Sequence, residues 1–221
     1  MRVPKPVGRF YLVVAVVAGL AIAPAMVASA PSATAATSEA TSTSVTAPIQ
    51  ALDEALIEVM RAGRKTSFQQ RYALLAPAVE QALDLPFILR ISVGLGWSSM
   101  SSQQQQELLD AFRKYTIASY LDNFDSYDGQ KLVIEPNPRQ LATGEQVITT
   151  EVIPVSGSPH KLAYVMHKLP DGTWKAIDVL ADGTISRVAV QRSDWSSLLT
   201  QGGAPALLAT LQKKTEALSQ G

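Results

Sequence analysis

The chain has 221 residues, of which 47% are hydrophobic and 17% charged, and its formal net charge at pH 7 is zero. This composition predicts one globular domain with a sizeable core. The chain has no cysteine, which excludes disulfides, cysteine-ligated metals and cysteine nucleophiles.

The first 30 residues have the pattern of a secretory signal peptide. Basic residues precede an apolar run over residues 10–22, and Ala28-Ser29-Ala30 offers a small-x-small cleavage site. The run is short for a membrane span, which needs about 20 apolar residues; an uncleaved anchor is the alternative. Cleavage would remove three of the 19 basic residues and none of the 19 acidic ones, which gives a net charge of −3. We therefore expect an exported protein, and a poor candidate for binding nucleic acid.

The first helices are predicted from their start and stop signals. Residues 31–47 are rich in Ala, Ser and Thr and predict a disordered lead-in. A helix is then predicted to begin at Pro48, because proline favours the first turn, and to end at Gly63. Residues 66–83 also have a helical apolar face, but Pro77 interrupts it and predicts a kink or two short helices.

Two further helices are predicted before the strands begin. Asp84 can cap the first, whose residues 87–93 are apolar nearly all round. Such a helix is buried on several sides or lines an apolar cavity. Ser101 or Ser102 can cap the second, and its apolar stripe widens beyond Tyr115, which predicts that its far half is enclosed.

The second half of the chain predicts an antiparallel sheet followed by helices. Asp-Gly turn signals at residues 171–172 and 182–183 indicate hairpins. Ser193 can cap a short helix, Gly202-Gly203 breaks it, and Pro205 begins the last one. Strands are predicted over residues 131–135, 146–153, 161–169 and 174–180.

No catalytic or metal-binding constellation is evident. His160 and His167 lie seven residues apart on one predicted strand, so they point to opposite faces and do not suit one metal ion. Asp178 is the remaining candidate, because a half-buried carboxylate can act as an acid or base. The alternative is that Asp178 accepts hydrogen bonds from nearby backbone or pairs with Arg187 or Arg192.

The chain has more large apolar side chains than one sheet face needs. The excess lies in residues 87–97, in the far half of the long helix and on the predicted inner face of the sheet. It indicates either a large solid core or an unfilled apolar cavity that holds a lipid-like ligand. The composition leaves both interpretations open.

A family resemblance favours the cavity. The residues that carry it are Leu85-Pro86-Phe87, Gly94, Trp97, Ser102-x-x-Gln105, Phe112 and Tyr120 in the first half, and Trp174-x-x-x-Asp178-Val179, Gly183, Ile185 and Arg192-Ser193-x-Trp195 in the second. This pattern resembles the MlaC-type periplasmic lipid-binding proteins, also called the toluene-tolerance or ABC-transporter auxiliary family. Residues 94–100, 123–127 and 186–192 look closer to its hopanoid-associated HpnM branch.

The resemblance implies an α+β fold, with N-terminal and C-terminal helices packed on a curved antiparallel sheet around an apolar pocket. It implies a single lipid-binding domain over residues 48–216. The expected function is a soluble periplasmic carrier, not an enzyme, which shuttles phospholipid or hopanoid between the inner and outer membranes. Its expected partners are an inner-membrane lipid transporter complex and an outer-membrane acceptor, and the family brings no cofactor or metal.

The predicted inward faces supply the expected lipid contacts. These are Phe87, Leu89, Ile91, Trp97, Ile117, Tyr120, Ile148, Val152, Tyr164, Met166, Ile177 and Val179. Two alternatives compete with the carrier. One is an enzyme that acts on an apolar substrate with Asp178, and the other is an interaction module with a filled core. The module is favoured if the fold has no cavity larger than about 300 Å³.

Overall fold

The computed structural model describes residues 35–220, with side chains from residue 45 onward. The expected signal peptide, residues 1–30, lies outside the described residues. No helix within residues 35–220 is long and apolar enough to cross a membrane.

The described residues form five α-helices and one sheet. The helices are α1 (Ala35–Ala62), α2 (Phe68–Ala82), α3 (Leu85–Val93), α4 (Ser102–Asn123) and α5 (Arg187–Ser219), with a 3₁₀ helix (Gly94–Ser99) between α3 and α4. The strands are β1 (Lys131–Ile134), β2 (Arg139–Gln140), β3 (Gln146–Ile153), β4 (His160–Lys168), β5 (Trp174–Ala181) and β6 (Ile185–Ser186). The sheet is antiparallel in the order β1-β3-β4-β5-β6, and β2 also pairs with β3. The predicted α+β class is confirmed.

Hydrogen-bonded caps set the starts of the central helices. The Asp84 side chain accepts a hydrogen bond from the backbone N–H of Phe87 at 3.1 Å and so caps α3. Ser101 and Gln104 form a reciprocal capping box at the start of α4. These contacts satisfy N–H groups that have no partner within the helix, and both predicted caps are confirmed.

Helix α1 begins well before its predicted start. In place of the lead-in expected over residues 31–47, residues 35–47 are helical, and Pro48 lies inside α1 instead of opening it. Val45 and Ile49, on either side of Pro48, are fully buried. Packing of this extended apolar face explains how the helix tolerates the one hydrogen bond that proline removes.

Two other helices also bear on the sequence prediction. Helix α2 continues through Pro77 as one helix, so the alternative of two short helices is wrong. The flanking Leu75 and Val79 are both fully buried, and their packing supports the helix across the proline. Helix α5 begins at Arg187, well before the predicted cap at Ser193. The break predicted near the double glycine is confirmed at Gly203, where φ is 61° and ψ is −154°.

A β-bulge in β5 changes which of its residues face the core. Val165 pairs with Asp178 and Met166 pairs with Ala176, so Ile177 has no opposite residue in β4. An extra residue of this kind reverses the alternation of side chains along a strand. Regular alternation along β5 would place Trp174 and Asp178 on one face, whereas the bulge separates them.

The core is one apolar cluster. It contains buried residues from all five helices and from strands β3, β4 and β5. Tyr164, Phe112 and Met166 are among its largest fully buried side chains. Phe112 of α4 meets Trp195 of α5 edge-on, with ring centroids 5.9 Å apart, and this contact helps to pack the two helices together.

Candidate functional site

A cavity of about 250 Å³ lies between the sheet and helices α3, α4 and α5. Its floor is formed by the end of β3, the start of β4 and the end of β5, and its walls by the far half of α4 and the start of α5. The lining is largely apolar and includes Leu85, Ile88, Phe112, Leu162, Val179 and Val188. This position agrees with the enclosed far half predicted for α4.

The cavity adjoins a shallower depression of about 320 Å³ between α4 and the two halves of α5. Four residues line both spaces: Tyr115, Ser119, Asn123 and Arg187. Lys214 lines the depression but not the cavity. The cavity by itself is slightly smaller than the ~300 Å³ at which small-molecule sites begin. Only together with the depression does it reach that range.

The rim of the cavity is polar and charged. The His160 Nδ1 atom lies 3.7 Å from an oxygen of Asp182, and the Lys161 ammonium donates to Glu135 at 2.7 Å. Each of these side chains is more than a third exposed, so the pairs contribute little to stability. An apolar interior beneath a charged rim suits a molecule with one apolar and one polar end.

Asp178 has a structural position at this rim. Its carboxylate accepts hydrogen bonds from the backbone N–H groups of Val179 at 2.8 Å and Val188 at 3.1 Å, and from the hydroxyl of Ser186. It forms no ion pair with Arg187 among the described residues. Asp178 therefore fixes the start of α5 against β5 and shapes the cavity wall, in agreement with the backbone-bonded alternative.

A buried polar group inside the core was not predicted. Asp53 of α1 is 7% exposed, and one of its oxygens accepts a hydrogen bond from the hydroxyl of Thr150 at 3.0 Å. The other oxygen has no hydrogen-bond partner. The fully buried Tyr164 hydroxyl also makes no hydrogen bond of normal geometry, although the Tyr120 hydroxyl is close enough to affect its pKa.

Burial shifts the pKa values of Asp53 and of the neighbouring Tyr120 and Tyr164. Burial is the largest of three effects on the pKa of Asp53: the Thr150 hydrogen bond opposes it, the Glu54 charge adds to it, and together they raise the pKa to about 7. Burial likewise raises the pKa of Tyr120 to about 12 and holds the pKa of Tyr164 well above its ordinary value. Both tyrosines are therefore uncharged at neutral pH, whereas Asp53 titrates there.

The predicted lipid contacts fall into three groups. Tyr120, Val152 and Val179 line the cavity. A second group is packed in the closed core, with at most 1% exposure, and does not border the cavity in this structure: Leu89, Ile117, Ile148, Tyr164 and Met166.

The third group lies away from the cavity. Ile177 occupies the bulge of β5, which removes it from the face it was expected to share with Val179. The Phe87 ring packs against His167, with centroids 5.3 Å apart, and Ile91 is absent from the core cluster. Trp97 packs on the core from the 3₁₀ helix without reaching the cavity. Whether these residues contact a ligand stays a prediction.

The sequence also missed several residues that line the cavity. Leu162 lies two residues before Tyr164, on the same face of β4, so strand alternation was a sufficient signal. Arg187 and Val188 were missed because α5 was expected to begin at Ser193. Asp53, a core residue that does not line the cavity, was also missed. The signal for it was its spacing of four residues from Ile49, which places a carboxylate on the apolar face of α1.

The two histidines lie beside different carboxylates, His160 beside Asp182 and His167 beside Asp84. The His167 Nε2 atom lies 2.9 Å from an oxygen of Asp84, the residue that caps α3. No group of three or more His, Asp or Glu side chains could hold a metal ion within the part of the chain that the structure describes. His167 therefore links the end of β4 to the start of α3.

The fold and its cavity place the protein in a class of α+β proteins in which helices cover an open antiparallel sheet. A solved structure of this class is the phospholipid-binding protein from Ralstonia solanacearum, determined in complex with a phospholipid. It shares 20% sequence identity and a TM-score of 0.68 with this chain, and the match covers 79% of this chain and 98% of the other. This likeness establishes the fold.

The family follows from the sequence itself. The family described as MlaC protein matches residues 50–213, most of the chain, and the chain belongs to that family. No curated protein matches the sequence closely enough to add a further assignment. The resemblance to MlaC proteins drawn from the sequence is thus confirmed at the level of the family.

Proposed function

We propose that the protein is a periplasmic lipid carrier that holds acyl chains in the cavity and moves lipid between the inner and outer membranes. The observation that carries this proposal is the apolar cavity between the sheet, α4 and α5, with its charged rim, in a chain of the MlaC family. Burial of an acyl chain gains about 0.8 kcal/mol per CH₂ group. A protein cavity can therefore compete with a bilayer for the lipid.

The phospholipid bound to the Ralstonia protein supports phospholipid as the ligand class. A hopanoid is the alternative that the resemblance to the HpnM branch supports. The predicted signal peptide over residues 1–30 supports export to the periplasm, and an inner-membrane transporter complex and an outer-membrane acceptor are the proposed partners. The family and the cavity favour a binding protein over an enzyme.

Loading with a whole lipid requires the cavity to enlarge. At about 250 Å³ it is smaller than typical small-molecule sites. Ile148, Tyr164 and Met166 are fully buried on the same faces of β3 and β4 as the lining residues Val152 and Leu162, so they would border an enlarged cavity. We therefore propose that the lipid parts the helices from the sheet, and that the second group of predicted contacts lines the loaded state.

The test is mass spectrometry of an organic extract from protein purified without detergent from the periplasm. We expect about one lipid per protein chain, because chains in a dry cavity exchange slowly with water. Phosphorus analysis of the same extract separates phospholipid from hopanoid. Delipidated protein that takes up no lipid from vesicles, together with an empty native extract, would contradict the proposal.

Replacement of Asp178 with alanine tests whether this residue, the candidate for catalysis in the enzyme alternative, has a structural role. We expect the free energy of unfolding to fall by about 1–3 kcal/mol, because the Val179 N–H in β5 and two donors at the start of α5, from Ser186 and Val188, lose their acceptor. Asp194→Ala, an exposed position on the same helix, is the matched control and should change stability little. Unchanged stability of Asp178→Ala in urea unfolding would return Asp178 to the candidates for catalysis.

A further inference from the structure

Arg187 stands at the boundary between the apolar cavity and the outer depression. It is the first residue of α5 and lines both spaces. Its side chain is half-buried and forms no hydrogen bond or ion pair with the residues that the structure describes. Guanidinium groups in such positions normally have a carboxylate or another acceptor beside them. The missing acceptor therefore needs an explanation.

The acidic residues near Arg187 already have other partners. The Asp178 carboxylate accepts hydrogen bonds from two backbone N–H groups and a hydroxyl. Asp182 lies beside His160 at 3.7 Å, and Asp122 lies 3.9 Å from a guanidinium nitrogen of Arg64. None of these acids neutralises Arg187. The guanidinium is held between an apolar space and solvent with its charge available.

A second cation faces the same depression. Lys214, from the second half of α5, lines it, and its ammonium lies 5.9 Å from the centre of the Tyr115 ring. Tyr115 lines both spaces, as Arg187 does, so this contact holds the ammonium at the wall of the depression. The Lys214 side chain is otherwise exposed and forms no ion pair among the described residues.

We propose that Arg187 and Lys214 bind the phosphate of a lipid whose chains occupy the cavity, so that this mouth selects phosphate-bearing lipids over uncharged lipids with the same chains. The proposal rests on the proposed carrier function and names the headgroup chemistry of that site. An amphiphile with its chains in the cavity must place its polar group where the two spaces meet, which is where Arg187 lies.

The two side chains suit different parts of this task. The planar guanidinium of Arg187 presents paired N–H donors that match two phosphate oxygens at once. Lys214 supplies a compact charge without that directional match. Charge attraction is stronger at a half-buried position than in open water. Arg187 is therefore expected to determine selectivity more than Lys214 does.

The test compares two lipids with identical acyl chains, phosphatidylglycerol and diacylglycerol, presented in vesicles to delipidated protein. We expect Arg187→Gln to weaken phosphatidylglycerol uptake about tenfold or more, because a charge-assisted paired contact is lost, and to leave diacylglycerol uptake unchanged. Arg187→Lys and Lys214→Gln should each lose less. Arg139→Gln, which removes an exposed positive charge from β2, is the matched control and should behave as wild type.

Each outcome decides a separate question. Equal losses for both lipids would show that Arg187 only supports the cavity wall, and undiminished phosphatidylglycerol uptake would show that it does not contact the headgroup; either result overturns the proposal. Inorganic phosphate is added as a separate competitor. If it binds the delipidated protein as tightly as the lipid does, the site recognises a free anion and the headgroup assignment fails. Failure of wild type to take up either lipid would instead contradict the carrier function.

Discussion

Replacement of Asp53 with asparagine is expected to raise the free energy of unfolding by up to about 4 kcal/mol at pH 8 and to change it little at pH 4. The reason is the burial of Asp53 in the core, which raises its pKa from 3.8 to about 7. Asparagine has nearly the same shape and can still accept the hydrogen bond from Thr150. It cannot acquire the negative charge that the core disfavours.

The direction follows from proton binding. Between pH 3.8 and about 7, Asp53 is protonated in the folded protein and ionised in the unfolded chain. Rising pH therefore favours the unfolded chain across this window, and the contribution of neutral Asp53 to stability is complete below pH 3.8 and lost by about pH 7. The difference between wild type and Asp53→Asn should grow with pH through the same window and then level off.

Urea unfolding of delipidated protein at a series of pH values from 4 to 8 measures this difference. Other titrating groups act equally in both proteins, so they cancel. Glu58→Gln, an exposed carboxylate on the same helix, is the matched control and should follow wild type. Parallel curves for wild type and Asp53→Asn would show that Asp53 is ionised throughout or has a partner in solution.

The burial and charge state of Asp53 could not be predicted from the sequence, whereas local features of the fold could. The caps of α3 and α4 were predicted from Asp84 and Ser101 because a cap depends on a few neighbouring residues. Strands β1, β3, β4 and β5 were located nearly to the residue, whereas the two-residue strands β2 and β6 were not predicted. Asp53 meets Thr150 across 97 positions in sequence, and the charge state that results depends on burial, which no local pattern records.

The candidate site was predicted only in part, for a related reason. Strand alternation correctly placed Val152, Tyr164 and Met166 on the inner face of the sheet. It failed in β5, because the bulge at Ile177 depends on how β5 meets β4 and not on the sequence of β5 alone. The prediction for the start of α1 failed for a different reason. The composition of residues 31–47 is typical of a disordered segment, but residues 35–47 are helical and Val45 packs in the core.

The proposed role of Arg187 could not be predicted from the sequence for a third reason. Its role follows from its place between two spaces that exist only after α4, α5 and the sheet have assembled. In the sequence it was one of two partners considered for Asp178. The structure instead engages Asp178 with backbone and leaves the guanidinium free of an acid, and the inference about the headgroup depends on that separation.

Replacement of Val179 with arginine is expected to reduce the lipid content of the purified protein at least tenfold while the protein remains folded. Val179 lines the cavity from β5, so a guanidinium there would bring charge and bulk into the space that we propose for the acyl chains. Its partial exposure at the edge of the cavity lets the long side chain reach the rim. Tyr164→Arg and Met166→Arg, at fully buried positions, should unfold the protein instead.

Ile177→Arg is the matched control, two residues away on the same strand. Ile177 sits in the bulge and borders neither the cavity nor the core cluster, so its replacement should leave the lipid content near that of wild type. Circular dichroism and urea unfolding verify that both variants fold, and mass spectrometry of extracts measures the lipid. The opposite result, loss of lipid from Ile177→Arg and retention in Val179→Arg, would contradict the prediction. It would mean that the lipid does not bind in the cavity between α4, α5 and the sheet, but on the side of β5 where Ile177 lies.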